Sequence, residues 1–313
     1  MFYFIVNKSG GSGKTAVTWN IIEKWLSENL VAGTDYKIFE SQGTGHATEL
    51  AKKISLIPES EDSDKKIVLA GGDGTLNEVI NGISDFSKIK FAIIPTGSGN
   101  DFARGIGIKK NQTLKNLKKI VSNKSYSLVD LGIARFKDGS SRYFAISSGI
   151  GMDAIVCKKT NTSKLKVVLN KLHLGQFAYI LLTVHSLFTM KCRDVKIKFD
   201  DEEPQVYKNL IFFAGMNTCA EGGGVKMAPK AKFDDGELSA LIVQNIPKIL
   251  AFFIFPFLIL GKHERFKGFI IKNFKKMTLT SNELVVSHTD GEWSGDVNEI
   301  SMECLEKKLM LLN

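Results

Sequence analysis

The chain has 313 residues, a net charge of +9 and an isoelectric point near 9.2. That length exceeds a single small module and suits two domains, and 43% hydrophobic with 24% charged residues excludes wholesale disorder. Four cysteines (Cys157, Cys192, Cys219, Cys304) stand without any C-x-x-C spacing, which argues against a zinc site or disulfide framework and suits a reducing compartment.

The chain opens on FYFIV, a strand-like run too short and too little basic in its flank for a secretory signal. No apolar run reaches the length of a spanning helix, so the expectation is a cytoplasmic protein. After a Gly/Ser loop, 16–30 reads as a helix with Val17, Ile21, Ile22, Trp25 and Leu26 on its apolar face. Strand 36–39, helix 47–56, strand 66–70, helix 76–83 and strand 91–94 follow. Alternating strands and helices predict an α/β domain, a parallel sheet with flanking helices. From about residue 130 the pattern changes. Helical stretches fall at 164–172 and 177–190, and β-like runs at 142–147, 194–199, 205–214, 237–243, 277–280 and 283–287. This predicts a second, mainly antiparallel β-sandwich-like domain. The expected boundaries are 1–129 and 130–304. The excess charge is shared by both halves, so it marks no nucleic-acid domain, and no nucleic-acid module is recognisable.

Three loops carry the chemistry. Gly71-Gly72-Asp73-Gly74-Thr75 follows a strand and opens a helix. Glycines let the backbone turn and approach a ligand, and N–H groups at a helix start suit phosphate oxygens. The same residues also read as an ordinary β–α turn with a cap. One β–α unit later, PTGSGNDFAR at 95–104 offers Ser98, Asn100 and Asp101 beside two glycines. The first loop, NKSGGSGKT at 7–15, is a near-miss of the P-loop: the first glycine of G-x-x-x-x-G-K-[ST] falls on Lys8. Two acidic turns lie downstream, DDGEL at 234–238 and TDGE at 289–292, each also readable as a plain turn.

Together, NKSGG, GGDGTLNEV and PTGSGNDFAR resemble the diacylglycerol/sphingosine-type lipid kinase family, in its bacterial soluble branch. GGDGT alone is shared with NAD kinases. The resemblance implies an NAD kinase-like N-terminal domain, a C-terminal sandwich-like domain, an active cleft between them, and a last strand near 305–313 returning to the first domain. It implies ATP contacts at Asn7, Ser9, Gly10, Gly11, Ser41, Gly71, Gly72, Asp73, Gly74, Thr75, Ser98 and Asn100. Ser41 and Ser98 stand where the family usually has Thr, and Lys8 where it has Pro. A Mg²⁺ site is implied at Asp235, with the carbonyls of Lys232 and Glu237. Asp290 is implied as general base, with Asp73 as its rival or as organiser of metal and water.

The expected activity is transfer of the γ-phosphoryl of ATP to a lipid hydroxyl, diacylglycerol or a related lipid. A soluble acceptor on an NAD kinase-like enzyme, or a non-catalytic nucleotide- or membrane-binding protein, are the alternatives. The apolar run 249–260 with a basic stretch at 262–276 suits either a peripheral site on an anionic membrane or a buried helix followed by a surface strand. Oligomeric state is not encoded in any of these features.

Overall fold

The computed structural model describes residues 1–123, 125–162 and 175–312. The expected helix at 164–172 lies outside the described residues. The chain divides into two compact units, Met1–Leu131 with Glu306–Asn313, and Gly132–Leu305.

Unit 1 holds β1 (Phe2–Val6), α1 (Lys14–Asn29), β2 (Tyr36–Glu40), α2 (His46–Ser55), β3 (Lys65–Gly71), α3 (Asp73–Gly82), β4 (Ile89–Pro95), α4 (Asp101–Gly105) and α5 (Thr113–Ser122). β1 pairs in parallel with β2 and β3, and β3 with β4. Tyr3, Phe4, Ile5 and Val6 are all buried, as a central strand covered on both faces requires. Phe4, Val6, Val68, Ala70, Ala92 and Ile94 pack with residues of α1 and α5. α2 and α3 pack on each other, where Gly82 is obligatory: a Cβ there would lie 2.2 Å from the Thr48 carbonyl oxygen.

The α1 face differs from the sequence expectation. Its buried side is Thr15, Trp19, Ile22 and Leu26, whereas Val17 is 67% exposed and Ile21 50%. Apolar residues ring more than one side of this helix, and the sheet takes the i, i+4, i+7, i+11 stripe, on which Thr15 starts and Trp19 supplies the largest side chain.

β5 (Tyr126–Phe136) runs across the unit boundary. Unit 2 continues with β6 (Ser141–Phe144), β7 (Ser147–Gly151), α6 (Met152–Thr162), α7 (Gly175–Thr189), β8 (Arg193–Phe199), β9 (Gln205–Met216), β10 (Leu238–Gln244), α8 (Lys248–Ile259), β11 (Phe269–Phe274), β12 (Lys276–Thr289) and β13 (Glu292–Leu312). Its strands pair antiparallel in the order β11-β10-β9-β7-β12-β13, with β8 bonded to both β9 and β12. One core gathers Phe144, Phe199, Phe213, Phe274, Leu279 and Ile300. A second packs Ile254 and Leu258 of α8 against Phe212, Leu241 and Phe269. The runs expected at 277–280 and 283–287 are one strand with a bulge between Thr280 and Val285. β13 leaves unit 2 and ends beside β4, pairing Met310 with Lys90 and Leu311 with Phe91 in parallel.

Candidate functional site

In unit 1, the strand registers bring the three loops together. Val6 aligns with Ala70 and Gly71 with Pro95, so the chain leaves β1, β3 and β4 at one edge of the sheet, where open α/β sheets bind ligands. The contacts are backbone on backbone. A Cβ on Gly97 would lie 2.4 Å from the Gly72 Cα, and one on Gly11, at φ +61°, would lie 2.7 Å from the Thr96 carbonyl oxygen. Only glycine permits both approaches.

Side chains fasten the arrangement. Asn7 Nδ2 donates to Thr75 Oγ1 at 3.0 Å, and Ser9 Oγ donates to Asn7 Oδ1 at 2.8 Å. Asp73 accepts the amides of Asp101 at 3.0 Å and Phe102 at 3.4 Å, so its carboxylate serves the N-terminus of α4. Asn100, at φ +55°, clasps Gly97 in both directions, its Oδ1 accepting the amide at 2.9 Å and its Nδ2 donating to the carbonyl at 2.7 Å. Ser41 is buried at the end of β2, its amide bonded to Val6 O at 2.8 Å; Ser98 is exposed. Gly10 and Gly74 are half-buried within their loops. Lys8 pairs with Glu40 at 2.8 Å. Sequence reasoning missed the buried Thr15–Thr96 bond, 3.0 Å between hydroxyls, which ties the start of α1 to the third loop.

In unit 2, Asp290 and Gly291 form the turn between β12 and β13, both at positive φ (+49° and +79°). This is the conformation that Asp-Gly hairpins adopt. The Asp290 carboxylate is 6% exposed and accepts three backbone amides: Ala145 at 3.0 Å, Ile146 at 2.8 Å and Ser147 at 3.0 Å. Two residues earlier, His288 is fully buried, with Nε2 3.0 Å from Asp153 Oδ2 and Nδ1 3.6 Å from Glu221 Oε1. Burial alone would lower the imidazole pKa, but Glu221 and Asp153 outweigh it and hold it at about 9. Sequence reasoning named none of these three partners. Asp153 and His288 are 135 positions apart, and the available signal was a His at an inward strand position.

Asp235 is exposed in a glycine turn, its Oδ1 accepting the Glu237 amide at 3.3 Å; Lys232 is exposed, and the Glu237 carboxylate accepts from Asn273 Nδ2 at 3.0 Å. Among the described residues no group of three or more His, Cys, Asp or Glu is arranged to hold a metal ion. Asp235 therefore offers a single exposed carboxylate, which fits only a hard cation that keeps most of its water.

α8 is apolar on both sides. Ile254 and Leu258 are buried, while Ile249, Leu250, Phe252, Phe253, Ile259 and Leu260 are exposed. Beneath it lies a small apolar cavity of about 30 Å³, lined by Met152, Leu187, Phe212, Val243 and Phe255 among others. Among the described residues no helix is long and apolar enough to cross a membrane. The basic stretch that follows, 262–276, contains β11, hydrogen-bonded to β10, with most of its basic residues outside that strand.

Residues 1–133 match the diacylglycerol kinase catalytic domain, and residues 146–313 match the YegS C-terminal NAD kinase beta sandwich-like domain. The chain belongs to the diacylglycerol kinase-type lipid kinase family. It is 31% identical over 296 residues, 94% of each chain, to the Bacillus subtilis (strain 168) protein YtlR, whose name carries the words lipid kinase. It is also 31% identical over 284 residues to a diacylglycerol kinase of Staphylococcus carnosus (strain TM300), covering 88% of this chain and 86% of the relative. Among solved structures, a Bacillus anthracis str. Sterne protein described as a diacylglycerol kinase superposes with a TM-score of 0.73 at 25% identity, covering 99% of this chain and 96% of the other. The expectation of a lipid kinase with an α/β unit followed by a β-rich unit therefore holds. A kinase of this family uses ATP.

Proposed function

We propose that this lipid kinase transfers the γ-phosphoryl of ATP to the hydroxyl of diacylglycerol or a closely related lipid. The observation that carries the nucleotide half is the interlocking of Gly11, Gly72 and Gly97, which brings the three glycine loops together at one sheet edge. Asn7, Ser9, Gly10 and Gly11, the 71–75 loop, Ser41, Ser98 and Asn100 form the ATP site in this reading. Asn100 and Asp73 act mainly by holding the loops in shape, since their side chains already engage backbone.

Asp290 is the general base. It takes the lipid hydroxyl proton as the new O–P bond forms, the bond from the γ-phosphorus to the bridging oxygen breaks, and ADP leaves. Its three amide partners fix the direction in which the carboxylate points. Mg²⁺ bound with ATP would neutralise phosphate charge during transfer. Asp73 is assigned to it, and Asp235, with the carbonyls of Lys232 and Glu237, to a second, structural ion.

The cavity under α8 is too small to hold an acyl chain, but its apolar lining and the exposed apolar side of α8 suit contact with a bilayer surface. Lys262, Arg265 and Lys267, exposed just beyond α8, favour an anionic leaflet. An NAD kinase-like reaction with a soluble acceptor has no use for either feature.

The test is mass spectrometry of a lipid extract incubated with enzyme, ATP and Mg²⁺, beside an NAD arm and an Asp290→Asn arm. New phosphatidic acid or a related phospholipid is expected, with no phosphorylated NAD. Phosphorylation of NAD alone would overturn the acceptor, and full turnover in folded Asp290→Asn would overturn the base. Vesicle sedimentation reads the membrane contact separately: equal binding to neutral and anionic vesicles would remove the electrostatic part.

A further inference from the structure

We infer that His288 is a positioning residue for the Asp290 turn, clamped between Asp153 of α6 and Glu221 of the segment after β9. The inference rests on the reading of Asp290 as base.

Three elements converge on the imidazole. Gly149 of β7 pairs with His288 in the ladder, and a Cβ at Gly149 would sit 2.9 Å from both His288 Nε2 and Asp153 Oδ2. The Phe213 carbonyl oxygen, 2.4 Å from that Cβ, is closer still, so strand β9 and the His–Asp pair together leave no room for a side chain. Ser148 Oγ donates to the His288 carbonyl at 2.8 Å, and the Asp290 amide donates to Ser147 O at 2.8 Å. The ring and the backbone of 288–290 are therefore fastened to β7, whose first residue, with Ala145 and Ile146 just before it, holds the Asp290 carboxylate.

The surroundings call for a cation. Asp153, Glu221 and Asp290 all act on His288, and Glu292 with the same Asp153 and Glu221 acts on Cys157 of α6, whose thiol burial already pushes well up. A protonated imidazole sets a positive charge 3.0 Å from the buried Asp153 carboxylate.

Nδ1 faces two incompatible partners. Its proton would point to Glu221 Oε1 at 3.6 Å, whereas its lone pair would accept the Gly291 amide at 3.3 Å. With the proton on, the ring bridges two carboxylates. With the proton off, Nδ1 turns its bonding to the backbone beside Asp290. Loss of the proton thus trades the Glu221 contact for the Gly291 amide bond, in the turn that carries the base.

The experiment measures kcat and the KM for ATP from pH 6.5 to 10 in wild type, Glu221→Gln, Glu221→Asp and His288→Gln, with thermal melts at each pH. NMR titration of the His288 imidazole runs alongside. Wild-type kcat should fall on an alkaline limb near pH 9 with the ATP KM unchanged. Glu221→Gln should move that limb, and the imidazole titration, down by about one pH unit, and Glu221→Asp should restore part of it. His288→Gln should abolish the limb and lower kcat about tenfold or more. An imidazole titrating near its unperturbed range, or a limb unmoved in folded Glu221→Gln, overturns the clamp. So does a loss of kcat that only tracks the unfolded fraction. Full turnover in Asp290→Asn refutes the base reading alone, and the imidazole titration still decides the clamp.

Discussion

Unit 1 shapes its candidate site from backbone, and unit 2 shapes its own from buried charge. In unit 1 the decisive contacts are glycine against backbone, Gly72 against Gly97 and Gly11 against Thr96. In unit 2 they are side chains gathered from distant segments: Asp153, Glu221, His288 and Asp290, all less than 9% exposed. A site of backbone amides recognises phosphate oxygens and needs space more than chemistry. A site of buried carboxylates and an imidazole handles protons and is sensitive to pH. The two kinds of site should therefore fail in different ways.

Asp290→Asn should give the largest loss, about 10²–10⁴ in kcat if Asp290 transfers the proton, with the ATP KM little changed. Asparagine also sets an NH₂ against a backbone amide donor, so a stability loss of about 1–3 kcal/mol is expected beside it; single-turnover rates per folded enzyme separate the two. Gly97→Ala should do the reverse, raising the ATP KM about tenfold or more while sparing the base, because two backbones must part to admit a methyl group. Calorimetric titration with a non-hydrolysable ATP analogue checks it. Asn7→Ala removes the bond to Thr75 and should cost about 1 kcal/mol, near a fivefold rise in ATP Kd.

The pH response should also divide. The His288 pKa is held at about 9, above the ordinary 6.5 of histidine, so its contribution to stability is full below 6.5 and is lost as pH rises through 9. Asp64 in unit 1 is the opposite case: burial raises its pKa, but hydrogen bonds from Lys66 and Lys90 bring it down to about 2. That contribution is present above 3.8 and is lost as pH falls toward 2. Asp64 is about half exposed, so solvent screening makes this the smallest effect. Hydrogen exchange resolved by unit should show protection lost first in unit 2 at alkaline pH and around Asp64 in acid.

The same contrast explains what could be read from the sequence. Glycine-rich loops are contiguous and follow strands, so GGDGT and PTGSGN reveal their place before any coordinates. What they cannot reveal is how each side chain is held: Asn100 reads as a ligand contact, and its amide group also clasps Gly97. Trp19 was missed as the main buried residue of α1 because Val17 and Ile21 supply a competing apolar pattern that solvent accepts. The unit 2 cluster is invisible for a different reason. Its members lie in separate segments, and only strand pairing between β7 and β12 brings them within bonding distance.

The return of β13 sets an order of events during synthesis. Unit 2 is one continuous stretch, Gly132–Leu305, whereas unit 1 needs Glu306–Asn313 as well. Leu309, Leu311 and Leu312 are buried in the described structure, and Leu311 pairs with Phe91 more than 200 positions earlier. On a ribosome adding about 5–20 residues per second, the nucleotide unit waits for all of unit 2 to emerge before its own sheet can be closed. Residues 1–131, the first to be made, are thus the last to be finished.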